Sequence, residues 1–132
     1  MIPRYARERA STLLRRLAYR MNRAAKLRDA DSIHDLRVSI RRFEQCLNIF
    51  HQFFPGHRKI HRRLHKIMQL SGEVRNRDIA LDLLKQAGQP ARSVLADRLR
   101  RERKEFQADL MAAFDRWGER DVFRKWGSKL GV

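Results

Sequence analysis

The sequence has few of the residues needed for a disulfide framework, a cysteine metal centre or a membrane span. Its 132 residues contain one cysteine, Cys46, which excludes an internal disulfide bond and a zinc site built from cysteine alone. No apolar run approaches the roughly 20 residues of a membrane-spanning helix. The first residues also lack the apolar stretch of a secretion signal. We therefore expect a single soluble, cytoplasmic domain covering 1–132.

Acidic residues are also scarce relative to basic ones. The chain has 15 Asp+Glu against 31 Lys+Arg, which gives a formal net charge of +16 at pH 7. Such a charge occurs in arginine-rich chains that are merely soluble. However, repulsion between like charges opposes compaction, which favours a negatively charged partner. The hydrophobic content of 42% permits a core. The composition therefore indicates a folded domain that binds a polyanion.

Apolar residues recur at helical spacing almost throughout the chain, and no stretch alternates long enough to predict a strand. The pattern predicts an all-α fold, a helical bundle of four to six helices with short connections. The first predicted helix covers 4–27, and the second begins at a capping box at Ser32 and ends at the break at Phe54-Pro55-Gly56. The third covers 57–70, and a short fourth helix lies between Ser71-Gly72 and Gly88. The fifth covers 91–117 and is capped by Gly118, and a terminal short helix covers 121–126.

The first two helices carry the clearest apolar stripes. In each helix the apolar residues are three or four positions apart, as expected for a buried face. The stripe of the first helix is Ala10, Leu13, Leu14, Leu17, Met21 and Ala24, and that of the second is Ile33, Leu36, Ile40, Phe43, Leu47 and Phe50.

Basic residues in the same two helices border these stripes. At 100° per residue, His34, Arg37 and Arg41 form a row roughly 120° from the apolar stripe of the second helix. A row facing solvent is the commoner arrangement for one helix. The same offset in two successive helices instead favours a basic groove between neighbouring helices. The corresponding row of the first helix is Arg9, Arg16, Arg20 and Arg23.

A basic groove of this kind suits phosphate. Arginine holds two phosphate oxygens with a planar fork of donors, and histidine adds a donor whose charge follows pH. Reading the bases of a single strand would require exposed aromatic residues. The phenylalanines instead fall mostly on the apolar stripes. The pattern therefore predicts a partner that carries phosphate without bases.

Two segments resemble the motifs of a known family. The first closely resembles the signature of the CHAD family (conserved histidine α-helical domain). The second falls where that family has Leu-Gly-x-x-Arg-Asp-x-Asp-Val, with Ser71 in place of leucine and Asn76 in place of aspartate. The segments are Ile33-His34-Asp35-Leu36-Arg37-Val38-Ser39-Ile40-Arg41-Arg42-Phe43 and Ser71-Gly72-Glu73-Val74-Arg75-Asn76-Arg77-Asp78-Ile79.

The resemblance implies a non-catalytic helical domain that binds inorganic polyphosphate through a basic surface and associates with polyphosphate granules. We expect Asp78 to pair with an arginine and hold its fork in position. The motifs, the basic rows and two histidines of the third helix together give the candidate polyphosphate-binding residues: His34, Arg37, Arg41, Arg42, Arg75, Arg16, Arg20, Arg23, His61 and His65.

The resemblance covers only one half of a typical CHAD domain, which contains two similar helical halves about a pseudo-two-fold axis. This chain is similar to the N-terminal half. A second copy would replace the missing half, because a two-fold dimer presents the same surface from both subunits. We therefore expect a homodimer that encloses a basic channel. A fragment of a longer chain, or one of two split halves, is the alternative.

Metal binding and catalysis receive little support. His57, His61 and His65 lie four residues apart, as metal ligands on a helix do. The basic residues around them favour an anion over a cation. The sequence also has no phosphate-binding glycine loop and no nucleophile paired with a base. We expect no metal, no cofactor and no enzyme activity, and a buried thiol at Cys46.

Nucleic acid is the main alternative partner. Its affinity would also come from phosphates and would depend as strongly on salt. A deep groove between helices suits a thin chain without bases, whereas a convex recognition helix suits duplex DNA. A third hypothesis, a structural module that docks on an acidic protein, has no specific feature in its favour.

Overall fold

The computed structural model describes residues 2–131, and this part of the chain is helical with no strand. The all-α prediction is therefore confirmed, with a helix count inside the predicted range. A 3₁₀ turn at His51–Phe53 follows the second helix. The α-helices are α1 (Arg4–Leu27), α2 (Ala30–Ile49), α3 (His57–Gln86), α4 (Val94–Arg120) and α5 (Val122–Leu130).

Short connections make successive long helices antiparallel. Arg37 of α2 contacts Met68 of α3, whereas Glu44, which follows Arg37 in α2, contacts His61, which precedes Met68 in α3. The two helices therefore run in opposite directions. Helix α1 packs on α2, α2 on α3 and α3 on α4, while α5 packs against α1. The result is an up-and-down four-helix bundle with a short fifth helix against it.

The core lies between the apolar stripes of these helices. Every predicted stripe residue of α1 and α2 is buried, except Phe50, which is half-buried. Phe43 is fully buried and stacks on Trp126 of α5, with ring centroids 6.2 Å apart. Because aromatic side chains of this size bury a large apolar area, removing the ring of Phe43 would cost about 3–5 kcal/mol.

The start of α2 differs from the prediction. The helix begins at Ala30, two residues before the predicted capping box, so a box at Ser32 is wrong. Asp29 is the actual cap, since its carboxylate accepts a hydrogen bond of 2.8 Å from the backbone N–H of Ser32. This hydrogen bond lowers the pKa of Asp29, because it favours the charged carboxylate.

The predicted interruption of the third helix at Ser71-Gly72 is also wrong. Helix α3 runs continuously from His57 to Gln86 and includes the predicted short helix. A glycine inside a helix costs only about 1 kcal/mol relative to alanine, which packing against neighbouring helices can offset. The later boundaries shift as well. Helix α4 continues past Gly118 to Arg120, and Asp121 takes the left-handed conformation between α4 and α5.

The far ends of α3 and α4 form an arm with an exposed apolar surface. Helix α3 has 30 residues and α2 has 20, so the last turns of α3 extend beyond the start of α2. The exposed apolar residues of the arm are Ile79, Leu83, Val94 and Leu95. In the described part of the chain, no helix has the length and apolar character required to cross a bilayer.

Candidate functional site

Arg37 is fixed at the interface between α2 and α3. Its Nη1 donates to the backbone carbonyl of Met68 at 2.6 Å and to Oγ of Ser71 at 2.9 Å. A Cβ atom on Gly72 would lie 3.0 Å from Arg37 Nη1, so the guanidinium occupies the space that the glycine leaves. The side chain is half-buried, and α3 holds one end of its fork.

Positive charges gather around this guanidinium. Burial lowers the pKa of Arg37, and the charges of Arg41 and Arg75 act in the same direction. Arginine nevertheless remains charged at any physiological pH. Arg41 and Arg75 therefore repel the charge of Arg37, which lies in a partly dehydrated interface, and a bound anion would relieve this repulsion. Arg41 extends into solvent, whereas Arg75 is half-buried.

The sequence patterns did not identify the residues that hold Arg37 as part of the site. Ser71 is fully buried, accepts the hydrogen bond from Arg37 and donates from Oγ to the Met68 carbonyl at 3.3 Å. The signal was present in the second motif, where serine replaces the leucine of the family. A hydroxyl at this position supplies an acceptor that leucine lacks, and this explains how the substitution is accommodated next to Arg37.

The other candidates on α2 divide between its two flanks. His34 and Arg41 are exposed on the flank next to α3, beside Arg37. Arg42 is exposed and lies about 100° further round the helix, towards α1. Asp35 identifies the side of α2 that faces α1, because its Oδ2 accepts a hydrogen bond of 3.3 Å from Nη1 of Arg20.

The basic row of α1 lies along this second flank. Arg20 is partly neutralised by Asp35, and Arg23 donates to the hydroxyl of Tyr19 at 3.4 Å. The guanidinium groups of Arg20 and Arg23 both lie over the Tyr19 ring, 5.5 and 5.8 Å from its centroid. Arg16 is exposed. The candidate residues thus follow two inter-helix seams, one on each side of α2.

The two candidate histidines of α3 differ in their availability. His65 is exposed. His61 has a hydrogen-bond partner at each ring nitrogen: Glu44 lies 2.5 Å from Nδ1, and the side-chain oxygen of Asn48 lies 2.9 Å from Nε2. Among residues 2–131, no group of three or more His, Cys, Asp or Glu side chains is arranged to hold a metal ion. His61 therefore links α3 to α2 in this structure.

Asp78 pairs with an arginine of α4. Its Oδ1 accepts a bond of 2.5 Å from Nε of Arg103, and Arg103 Nη2 also donates to the carbonyl of Arg28 at 3.0 Å. The pair therefore joins α3, α4 and the end of α1. No hydrogen bond between Asp78 and Arg75 is present. Sequence reasoning missed Arg103 because its contact partners are 25 and 75 positions away.

Replacing Gly72 with alanine should weaken anion binding without destabilising the helix. The new methyl group would press on Arg37 Nη1 and displace a guanidinium that α3 now fixes. Because alanine is the better helix former by about 1 kcal/mol, the loss of Arg37 packing should be largely offset in the free energy of unfolding. We expect about fivefold weaker binding, measured by titration with labelled polyphosphate, and a midpoint of thermal unfolding close to that of the wild type.

The matched control for this change is Gly118→Ala. A Cβ atom at Gly118 meets no atom within 4 Å, and the residue also lies inside a helix. Equal loss of binding in both variants would contradict the role of Gly72 in positioning Arg37.

The single thiol is predicted to react slowly. Cys46 is 5% exposed, and burial raises its pKa, an effect that the nearby positive charge of Arg9 partly opposes. A raised pKa leaves less of the reactive thiolate at pH 8 than an exposed thiol would have. We expect a chromogenic disulfide reagent at pH 8 to modify Cys46 at least tenfold more slowly in the folded protein than in denaturant. Equal rates would show that the thiol is accessible.

Comparison with known proteins identifies a family. The CHAD domain family matches the chain over residues 8–131. No curated protein and no solved structure shows significant similarity to this chain.

Proposed function

The chain belongs to the CHAD domain family, and from this membership we propose that it binds inorganic polyphosphate without catalysing a reaction. The family is associated with polyphosphate binding in general. The observation that supports the proposal most directly is the cluster of Arg37, Arg41 and Arg75, in which α3 fixes one guanidinium close to two other cations.

The proposed binding mechanism is electrostatic. Arginine and histidine side chains along both flanks of α2 replace the counterions of the polyphosphate chain, and the release of those ions favours binding. Arg37 contributes most to geometry, because its fork is held before the ligand arrives and loses little conformational entropy on binding. Arg41 and His34 extend into solvent beside it and contact successive phosphates.

Polyphosphate binding predicts a cytoplasmic protein that associates with polyphosphate granules. Granule association follows from the ligand, because granules present many closely spaced phosphates to each basic surface. Fluorescence microscopy of a tagged chain tests this localisation. Granule signal should disappear when Arg37 and Arg41 are both replaced.

The proposed assembly is a homodimer that joins two half-domains around a shared channel. The exposed apolar residues of the α3–α4 arm provide a contact surface for a second copy. The same arm carries Asp82, Asp97 and Arg98, so charges of both signs surround the apolar residues. Two copies of a chain with net charge +16 would meet most readily at such a surface.

Light scattering tests this assembly. At micromolar concentration we expect a mass twice the 15.8 kDa of one chain. Replacing Leu83 and Leu95 with serine should return the mass to that of one chain. Replacing Ile49, which is also exposed but lies at the end of α2, should leave the dimer intact. A wild-type monomer would contradict the proposed dimer.

A competition titration tests the ligand. Labelled long-chain polyphosphate is displaced by unlabelled polyphosphate, single-stranded DNA or duplex DNA at equal phosphate concentration and physiological salt. We expect a preference of at least tenfold for polyphosphate, which corresponds to about 1.4 kcal/mol. Equal displacement by all three would contradict the proposal and make the protein a general polyanion binder.

A further inference from the structure

A cavity of about 720 Å³ lies between α3 and α5, away from the two flanks of α2. Its wall is made mainly of basic side chains contributed by both helices. Among the residues that the structure describes, no Asp or Glu lines this cavity. The cations that line it are Lys59, Arg63, Arg124, Lys125 and Lys129.

Most of these cations have no acidic partner. Arg124 forms an ion pair with Asp121. Within 2–131, no carboxylate lies within 4.0 Å of the charged groups of Lys59, Arg63 or Lys125. Unpaired like charges that converge on one cavity raise its positive potential. The cavity therefore attracts an anion more strongly than an isolated cation on the surface would.

The cavity is separate from the cluster around Arg37. His61 marks the side of α3 that faces α2, because it contacts Glu44. At 100° per residue, Lys59 and Arg63 lie about 160° and 200° round α3 from His61. An anion bound between α3 and α5 therefore occupies the opposite side of α3 from Arg37.

The wall of the cavity is anchored in the core. Ile60, Val122 and Trp126 line it and are at most 5% exposed. The aliphatic part of Lys129 packs over Gly56, where a Cβ atom would lie 3.3 Å from Lys129 Cδ. The apolar part of the wall thus belongs to the packed core, while the five cations around it are exposed.

A second large cavity, of about 640 Å³, lies near the far ends of α3 and α4 and differs in the charge of its wall. It also contains cations, including Arg75 and Lys85, but Asp78 and Asp82 line it as well. Carboxylates in the wall would repel a phosphate ligand. Charge therefore favours the cavity between α3 and α5.

We propose that the cavity between α3 and α5 is a second anion site, which binds the triphosphate group of a small molecule. Its volume lies within the roughly 300–1,000 Å³ of small-molecule pockets. Arg63 supplies a fork for two phosphate oxygens, while Lys59 and Lys125 act as point charges on either side. The triphosphate group can come from inorganic tripolyphosphate or from a nucleoside triphosphate, whose base would contact the apolar residues of the wall.

The test measures tripolyphosphate and ATP binding by calorimetry at about 50 mM salt, where phosphate contacts remain strong. Replacing Lys59, Arg63 and Lys125 with glutamine should weaken tripolyphosphate binding at least tenfold. The matched control replaces Arg7, Arg101 and Lys104, which are exposed and lie outside the cavity. This control removes the same charge and should change the affinity less than threefold.

Further experiments distinguish this site from the proposed polyphosphate surface. The variant that lacks Arg37 and Arg41 should keep tripolyphosphate binding within threefold of the wild type. In the wild-type protein, low concentrations of tripolyphosphate should shift the amide NMR signals of Lys125 and Trp126 before those of His34 and Arg41. Tighter binding of ATP than of tripolyphosphate would identify a nucleotide as the ligand, and equal affinity would identify the phosphate chain alone.

Three results would overturn the proposal: no tripolyphosphate binding by the wild type, equal losses in the cavity and control variants, or loss of binding when only Arg37 and Arg41 are replaced. The last two would show, respectively, that net charge alone attracts the anion and that a single surface binds all phosphates. Each result leaves the binding of long-chain polyphosphate to be decided by its own titration.

Discussion

Replacing both Arg37 and Arg41 with alanine is expected to weaken polyphosphate binding about 100-fold at low salt. Each charge-assisted hydrogen bond to phosphate contributes about 1.5 kcal/mol or more, so two of them account for about 3 kcal/mol. The salt dependence should change as well. With two fewer phosphates neutralised, the slope of log affinity against log salt should become about 1.4 less negative. Titrations at several salt concentrations measure both quantities.

Two controls separate binding from folding and from net charge. Because Arg37 also donates to Met68 and Ser71, its loss should lower the free energy of unfolding. The titrations therefore belong at a temperature where circular dichroism shows the variant fully helical. The matched control replaces Arg7 and Lys104, which are exposed and lie on α1 and α4 rather than on α2. It should reduce affinity less than fivefold.

The lysine variant of Arg37 refines this test. Lysine keeps the charge but lacks the planar fork that reaches α3 and a phosphate at the same time. Binding should fall about tenfold while the salt slope stays close to the wild-type value. Unchanged affinity in both the lysine and the double alanine variants would mean that α2 does not form the binding surface.

The sequence was sufficient to predict the helices whose stripes are regular. In α1 and α2, apolar residues recur every three or four positions, and nearly all of them are buried as predicted. The same local reasoning failed at Ser71-Gly72, where it predicted a break. The helix continues there because Arg37 fills the space over Gly72 and bonds to Ser71. That contact joins residues more than 30 positions apart, and no local pattern reports it.

The candidate site also has features that the sequence predicted and features that it did not. The spacing of His34, Arg37 and Arg41 placed them on one face, which the helical geometry of α2 maintains. Spacing alone did not indicate that the row of α1 would meet the other flank of α2, through Arg20 and Asp35. Nor did it indicate that His61 would be engaged by Glu44 and Asn48. These features depend on which side of each helix its neighbour covers, which only the packed bundle determines.

Replacing Asp78 with asparagine is expected to destabilise the fold rather than impair binding directly. The side chains of Asp78 and Arg103 are 12% and 20% exposed, so the change would leave a largely buried guanidinium without its carboxylate. Removing one partner of a fully buried pair costs about 3–5 kcal/mol, and this partly hydrated pair should cost about 2 kcal/mol. For a domain of this size, the midpoint of thermal unfolding should fall by roughly 8 °C.

The control for Asp78 is Asp97→Asn. Asp97 pairs with Arg100 in an exposed ion pair, whose loss should cost less than about 0.5 kcal/mol. Replacing Arg103 with leucine in the Asp78→Asn background should recover part of the lost stability, because the unpaired charge is removed. The recovery would assign the effect to the Asp78–Arg103 pair rather than to the asparagine itself.

Polyphosphate binding by the Asp78→Asn variant distinguishes the two roles available to this carboxylate. If Asp78 acts through Arg103 to join α3, α4 and α1, affinity at 10 °C, where the variant remains folded, should stay within twofold of the wild type. If Asp78 instead orients a phosphate-binding arginine such as Arg75, affinity should fall at least tenfold while the unfolding midpoint barely changes. Because Asp78 contacts Arg103 and Arg103 contacts the carbonyl that ends α1, we expect the first result.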